Sequence, residues 1–251
     1  MRNKKLRAII TAISYFLLVV AICYSSAHIF HSYYYEHIYV SGSSMEPTLK
    51  GAPNTGNLVG ATVDFGIVDP SKGAINHIER FDIVSTYYYD DFLDEEAGTL
   101  KKGAKLKIKR IIALPKESFE IKNSLLYVFD DKDVANEIKY NFSINNGSNI
   151  SCKDHEKQTL NEEEYWVLGD NRIDSNDSGV AGGKPIKKSY IRGVLVAIEG
   201  QGELYLKNFV CNNCQTAFKS LGDGVCHKCN DGNLVEKYDV KNKKYHWPKF
   251  Y

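Results

Sequence analysis

Residues Ala8 to Phe30 of this 251-residue chain include no Asp, Glu, Lys or Arg. As a helix the run is roughly 34 Å long, enough to cross a hydrocarbon core of about 30 Å. No other segment comes close, so one span is expected. Arg2, Lys4, Lys5 and Arg7 precede it. Such a cluster stays in the cytoplasm, which places everything after Phe30 outside. A cleaved export signal is the competing reading, because Ser25-Ser26-Ala27 fits a small-x-small site. The run is long for that, and no Pro or Gly precedes those residues, so a retained anchor is expected. His31, Tyr33, Tyr34, Tyr35, His37 and Tyr39 follow. They suit a connector at the headgroup level or an aromatic first strand.

The remainder has globular composition, with 43% hydrophobic and 25% charged residues over the whole chain. Its 32 basic and 31 acidic residues nearly cancel, so no nucleic-acid partner is expected. Short β patterns dominate. Phe81 to Tyr87, Leu106 to Leu114, Tyr165 to Leu168 and Val194 to Ile198 read as strands. Phe119-Glu120-Ile121 and Leu125 to Phe129 read as a hairpin turning at Asn123-Ser124. Helical periodicity is not sustained anywhere after the span. Asp130 to Glu163 is polar and rich in Asn, Lys and Ser, and reads as an insertion.

Three segments hold chemistry. Ser41-Gly42-Ser43-Ser44-Met45-Glu46-Pro47-Thr48-Leu49 suits a tight turn that exposes a hydroxyl. A serine hydroxyl needs a neighbouring base before it attacks a carbonyl. Ile108-Lys109-Arg110-Ile111-Ile112-Ala113-Leu114-Pro115 can supply one, because burial makes a lysine neutral near working pH. Alternation on a strand points Lys109 and Arg110 to opposite faces, so one can be buried while the other stays in solvent, the plain alternative being a basic strand with both heads in water. Gly169 to Ser178 (GDNRIDSNDS) is a turn whose polar side chains bond to backbone. A calcium loop is the alternative there, but no Glu closes a 12-residue EF-hand pattern.

In this order, SGSSMEPTL, RFDIV, KRIIALP and GDNRIDSNDS resemble the successive boxes of the type I signal peptidases, Ser/Lys membrane-bound serine peptidases. The resemblance spans roughly Ala8 to Gly202. It implies Ser44 as nucleophile, Lys109 as general base and Ser175 as the serine that orients the lysine. Asp177 and Arg110 match a bracing polar pair, and Asp82 lies in the box beneath the site. Gly42 stands where some members carry an oxyanion-stabilising serine, so the backbone N–H of Ser44 would do most of that work, with a second donor or a water beside it. Phe81, Ala113 and Lys116 replace usual glycines, and Gly179 replaces a usual arginine. Val40, Met45, Ile83 and Ile108 are implied to line shallow pockets that admit small side chains, or else are simply core. Catalysis would need no cofactor. The implied partners are preprotein signal peptides, the lipid bilayer and the protein translocation machinery.

The tail lies outside that resemblance. Cys211-x2-Cys214 and Cys226-x2-Cys229 suit four thiolates around one tetrahedral Zn²⁺, with Gly222 and Gly224 serving the second knuckle. Two disulfides are the alternative outside the cytoplasm. Cys23 and Cys152 have no evident partner, and His227 reads as a solvent-facing knuckle residue.

The expected architecture is mainly β, with a cytoplasmic basic segment at 1–7 and a single transmembrane helix at 8–30. A signal-peptidase-type catalytic domain follows at 31–203, and a small four-cysteine, zinc-ribbon-like tail at 204–251. The expected activity is removal of signal peptides after small-x-small sites at the outer membrane face. Only 13 residues separate Phe30 from Ser44, a reach of at most about 45 Å. A processing peptidase dedicated to one secretion or pilus system, and an inactive scaffold presenting the zinc ribbon, are the competing functions. A triad built on His77 and Asp82 is disfavoured, because no motif surrounds His77.

Overall fold

The computed structural model describes residues 2–53, 58–101, 104–123, 125–138, 154–180, 183–221, 225–229 and 232–251. It divides into two units, Met1–Glu36 and His37–Tyr251. The first is one helix, α1 (Arg2–Tyr34). Ile9–Phe30 within it is long and apolar enough to cross a membrane. Phe16, Leu17, Val19, Ile22 and Ile29 are all more than half exposed, a surface suited to lipid and costly in water. The helix runs past both expected ends because the flanking residues contain no breaker. The Tyr/His stretch is therefore divided: helix to Tyr34, then β1 (Glu36–Tyr39).

The second unit is built from β2 (Thr62–Asp69), β3 (Ile83–Thr86), β4 (Phe92–Asp94), β5 (Thr99–Leu100) and β6 (Lys107–Ala113). Then come β7 (Ser118–Lys122), β8 (Leu125–Phe129), β9 (Ala135–Ile138), β10 (His155–Thr159), β11 (Glu164–Leu168) and β12 (Ile186–Lys187). The last are β13 (Ile191–Cys211), β14 (Ala217–Phe218) and β15 (Leu234–Phe250), with a short helix α2 (Lys72–Asn76) after β2. The main sheet runs β1-β2-β13-β3-β6-β11-β12, with β14 and β15 also on β13. A second sheet runs β10-β7-β8-β9.

Side-chain alternation along β6 and β11 builds two cores on opposite faces of the main sheet. Ile111, Tyr165 and Val167 join Val84, Ile186 and Tyr190 on one face. Ile112, Trp166 and Leu168 join Phe119, Ile121 and Leu126 of the second sheet on the other. Both faces being covered has a direct consequence for β6. Lys109 and Arg110 point to opposite sides, yet each is buried, at 3% and 5% exposure. The expectation that one of them stays in solvent is overturned by the second sheet.

That second sheet also corrects the reading of Asp130 to Glu163 as an insertion. The segment supplies both outer strands, β9 and β10, paired with β8 and β7. Their residues are mostly exposed, so they carry none of the apolar alternation by which a strand is recognised. The hairpin of β7 and β8 is in the expected register, with Lys122 opposite Leu125. Ser124 and Cys152 lie outside the described residues.

The tail is continuous with the main sheet. β13 passes without interruption from the catalytic region to Cys211, and β15 returns beside it from Leu234–Cys211 to Phe250–Ala197. Gly200 and Gly202 make this pairing possible: a Cβ at Gly200 would lie 2.3 Å from the Lys244 carbonyl oxygen, and one at Gly202 2.2 Å from Val240. The compact unit accordingly extends from His37 to Tyr251.

Lys116 occupies the left-handed region at φ 68°, which explains why glycine suits this position. A non-glycine residue there costs roughly 1–2 kcal/mol. Its exposed ion pair with Glu162 (2.8 Å) contributes less than about 1 kcal/mol. Lys116→Gly is expected to raise stability by up to about 1 kcal/mol, read as a higher denaturation midpoint without loss of peptidase activity.

Candidate active site

The turn carrying Ser44 is fixed from below by two apolar anchors. Met45 and Leu49 are buried with Val40, Val68, Ile83, Leu195 and Ile198. Glu46 N donates to the Ser43 carbonyl (3.0 Å) and Leu49 N to the Met45 carbonyl (2.9 Å). Gly42 enters the turn at φ 88°, where a side chain would be strained. Ser44 itself is half-buried.

Lys109 meets it from β6, where it lies opposite Val84 of β3. Its Nζ is 2.7 Å from Ser44 Oγ and 3.0 Å from the Ile108 carbonyl oxygen. Burial lowers the Lys109 pKa to about 8, against the opposing pull of the Asp177 carboxylate. An amine so placed is neutral in a useful fraction of molecules near neutral pH, and is in contact with the hydroxyl it would deprotonate.

The loop Gly169 to Ser178 is bonded to the serine turn. Asn171 N donates to the Ser44 carbonyl (2.9 Å) and Asn171 Nδ2 to the Ser43 carbonyl (3.1 Å). The Ser43 hydroxyl donates to Asp174. Gly169 is required by space: a Cβ there would lie 2.3 Å from Ser175 Oγ and 2.4 Å from the Ser44 carbonyl oxygen. Two buried ion pairs brace the loop. Arg110 is bidentate to Asp170, at 2.9 and 2.6 Å, and also donates to the Phe81 carbonyl (2.9 Å). Arg172 donates to Asp177 at 2.5 Å.

Asp177 is the hub. Its Oδ2 also accepts from Gly169 N (2.8 Å) and Ser175 Oγ (2.5 Å), and its Oδ1 from Gly179 N (2.9 Å). Arg110 and Asp177 thus belong to different pairs, not to one. The Ser175 hydroxyl donates to Asp177, the carboxylate whose charge acts on Lys109. The calcium alternative loses its ligands, because Asp170 and Asp177 face guanidinium groups. Asp170, Asn171, Arg172 and Asp174 were not singled out by sequence. The pairing of Asp170 with Arg110 follows from the β6–β11 register, which places Leu168 opposite Arg110.

Residues 9–198 match the family described as signal peptidase, peptidase S26. The chain belongs to the signal peptidase family. Signal peptidase I V of Bacillus subtilis (strain 168) is 34% identical over 164 residues, covering 62% of this chain and 80% of that protein. Signal peptidase I U of the same organism is 28% identical over 159 residues, covering 63% of this chain and 72% of the relative. A crystal structure of a signal peptidase I from Enterococcus faecalis V583 aligns over 47% of this chain and 96% of its own, at 25% identity and a TM-score of 0.34. Family membership makes the protein a serine peptidase acting in signal-peptide removal, with no cofactor needed for that chemistry. The fold is the expected one: an N-terminal apolar helix and a β-rich catalytic domain, with a cysteine cluster at the C-terminal side.

Against the signal peptidase pattern, Phe81 sits at φ 78°, the conformation that makes glycine usual there. Its ring packs against the Phe119–Trp166 core, which offsets the backbone cost. Asp82 caps the same bend by accepting from Glu79 N (2.8 Å), and burial raises its carboxyl pKa. Val40, Met45 and Ile83 are fully enclosed core residues, so the alternative reading applies to them. Of the four named lining candidates only Ile108 reaches the surface. Ile38 is also partly exposed on the same cluster. His77 caps α2, with Nδ1 2.8 Å from the Gly73 carbonyl oxygen.

At the far end of the β13–β15 hairpin, the Sγ atoms of Cys211, Cys214, Cys226 and Cys229 lie within 4.8 Å of one another. Cys211–Cys229 and Cys214–Cys226 are each 3.6 Å apart. Zn–S bonds of about 2.3 Å in a tetrahedron separate sulfurs by about 3.8 Å, so the set fits one such ion. Asn213 N and Cys214 N both donate to Cys211 Sγ at 3.3 Å, which favours a thiolate. Gly222 and Gly224 lie outside the described residues.

Proposed function

We propose that the protein is a membrane-anchored type I signal peptidase in which Ser44 and Lys109 cut preproteins after small-x-small sites. The observation that supports this best is the 2.7 Å contact between Ser44 Oγ and a Lys109 amine buried enough to ionise near pH 8. Neutral Lys109 takes the Ser44 proton as Oγ attacks the scissile carbonyl. Among the described residues the Ser44 N–H has no acceptor, and it is free to stabilise the oxyanion. Lys109 then passes the proton to the departing amine as the C–N bond breaks. Water, activated by the same amine, hydrolyses the acyl-enzyme. Ile38 and Ile108, partly exposed on the cluster beneath the Ser44 turn, are the apolar side chains offered to small substrate residues.

The basic segment before the span supports a cytoplasmic N-terminus and an outer catalytic unit. The test is N-terminal sequencing of products from several unrelated preproteins. Cleavage after Ala-x-Ala, abolished by a bulky residue at the last position, supports the reading. Cleavage of one preprotein only would identify a dedicated processing peptidase, and inertness on all would favour a scaffold.

The cysteine cluster is proposed to hold one structural Zn²⁺. Between residues 212 and 233 only Cys226 and Gly232 are buried among the described residues, too little core to fix the hairpin end without a staple. Purified protein is expected to contain one zinc per chain and to lose it with Cys214→Ser. Stripping the metal should lower the melting temperature while Ser44 remains reactive. Absence of both zinc and free thiols would mean two disulfides instead.

A further inference from the structure

β15 ends in a surface that neither the peptidase site nor the cysteine cluster uses. The family match stops at residue 198, and β15 lies wholly beyond it. Every residue from Lys241 to Tyr245, then His246 and Trp247, is exposed. Trp247 is 88% exposed, Phe250 70% and Tyr245 68%. Soluble surfaces scatter such side chains singly; clustered, they mark a contact. The same stretch bears Lys241, Lys243, Lys244 and Lys249, and no acidic residue lies between Val240 and Tyr251. The arm is held in place: Tyr245 stacks edge-on against Phe65 of β2 at 5.1 Å. Lys243 Nζ lies 5.1 Å from the same ring.

We propose that this arm, Lys241–Tyr251, docks on the anionic headgroup layer of the bilayer. Indole and phenol rings partition to that layer, and lysines near an anionic surface are each worth a factor of about five in occupancy. The choice of lipid over a protein partner rests on two observations. The arm's own charged side chains are all basic, with Glu203 opposite Lys241 on β13 the acidic neighbour, and that excess matches phosphate-bearing headgroups. The chain also carries its own membrane-length helix, Ile9–Phe30, joined to this unit through residues 31–36. Docking would add a second, reversible attachment and limit how the catalytic unit turns at the membrane. It does not depend on the assignment of Ser44 and Lys109.

Full-length protein in nanodiscs tests this through tryptophan fluorescence. The chain has two tryptophans, and Trp166 is fully buried. Trp247→Phe therefore isolates the Trp247 signal by difference. In discs containing phosphatidylglycerol, Trp247 emission should shift to the blue and be quenched by brominated acyl chains. In phosphatidylcholine alone both effects should fall several-fold. Replacing the four lysines by Glu should abolish the difference while cleavage of a soluble peptide continues. Trp247 quenched by aqueous acrylamide and untouched by bromolipid in both discs would overturn the proposal. Protection from acrylamide without bromolipid quenching would also overturn it, assigning the arm to a second copy or a protein partner.

Discussion

Lys109→Met should abolish cleavage and make the fold more stable at neutral pH. Among the described residues the amine is the only base in contact with Ser44 Oγ, and general-base assistance is worth about 10²–10⁴ in rate. The stability gain follows from the same burial. Lys109 falls from its ordinary 10.5 to about 8 in the folded chain, a difference of about 3 kcal/mol. Below pH 8 both folded and unfolded chains hold the proton, and the folded state bears the whole penalty. Between 8 and 10.5 the unfolded chain still holds it, so stability rises with pH. Above 10.5 the penalty is gone. Methionine keeps the stem and removes the charge, so the variant should melt higher at pH 7, by an amount that shrinks as pH approaches 10. Thermal melts at pH 7 and pH 10 check this; a variant that melts lower at both would contradict it.

Asp177→Ala is expected to have the largest effect on folding. It leaves the Arg172 guanidinium, 4% exposed in its side chain, without its carboxylate, and strips acceptors from Gly169 N, Gly179 N and Ser175 Oγ. Removing one partner of a buried pair costs about 3–5 kcal/mol. A domain of ordinary stability, about 5–15 kcal/mol, loses a large share of it. The loop that positions Ser44 through Asn171 should loosen too, so residual folded enzyme should cut slowly. Asp177→Asn keeps the shape and most of the donors' partners, and should fold better than the alanine variant. Loss of the carboxylate removes the charge that holds the Lys109 pKa up, so the active pH range of Asp177→Asn should extend lower. Chemical denaturation of both variants, with pH profiles of the asparagine one, measures each effect.

What the sequence revealed and what it hid divide along physical lines. The span was legible because 23 uncharged residues admit few structures. The β7–β8 hairpin was legible from β-branched and aromatic runs around Asn123. Ser44 and Lys109 were legible only in combination, since either segment alone is an ordinary turn or a basic strand. β9 and β10 were hidden because solvent on their faces permits polar residues throughout. The extent of β13 was hidden because Gly200-Gln201-Gly202 interrupts the apolar run that ends at Ile198, although those glycines admit β15. The ion pairs were hidden because spacing does not state partners: Arg110 and Asp170 are 60 residues apart. The burial of Arg110 alongside Lys109 needed the second sheet, whose outer strands had not been recognised.

The proposed mechanism turns on a neutral, buried Lys109 that activates Ser44. The pH dependence of kcat/KM on a model preprotein, from about pH 6 to about pH 10, tests it most directly. A rising acid limb governed by one group of pKa about 8 is expected, with activity falling about ten-fold for each pH unit below it. A limb centred near about 6.5, as a histidine base would give, or a rate flat across the range, would contradict it.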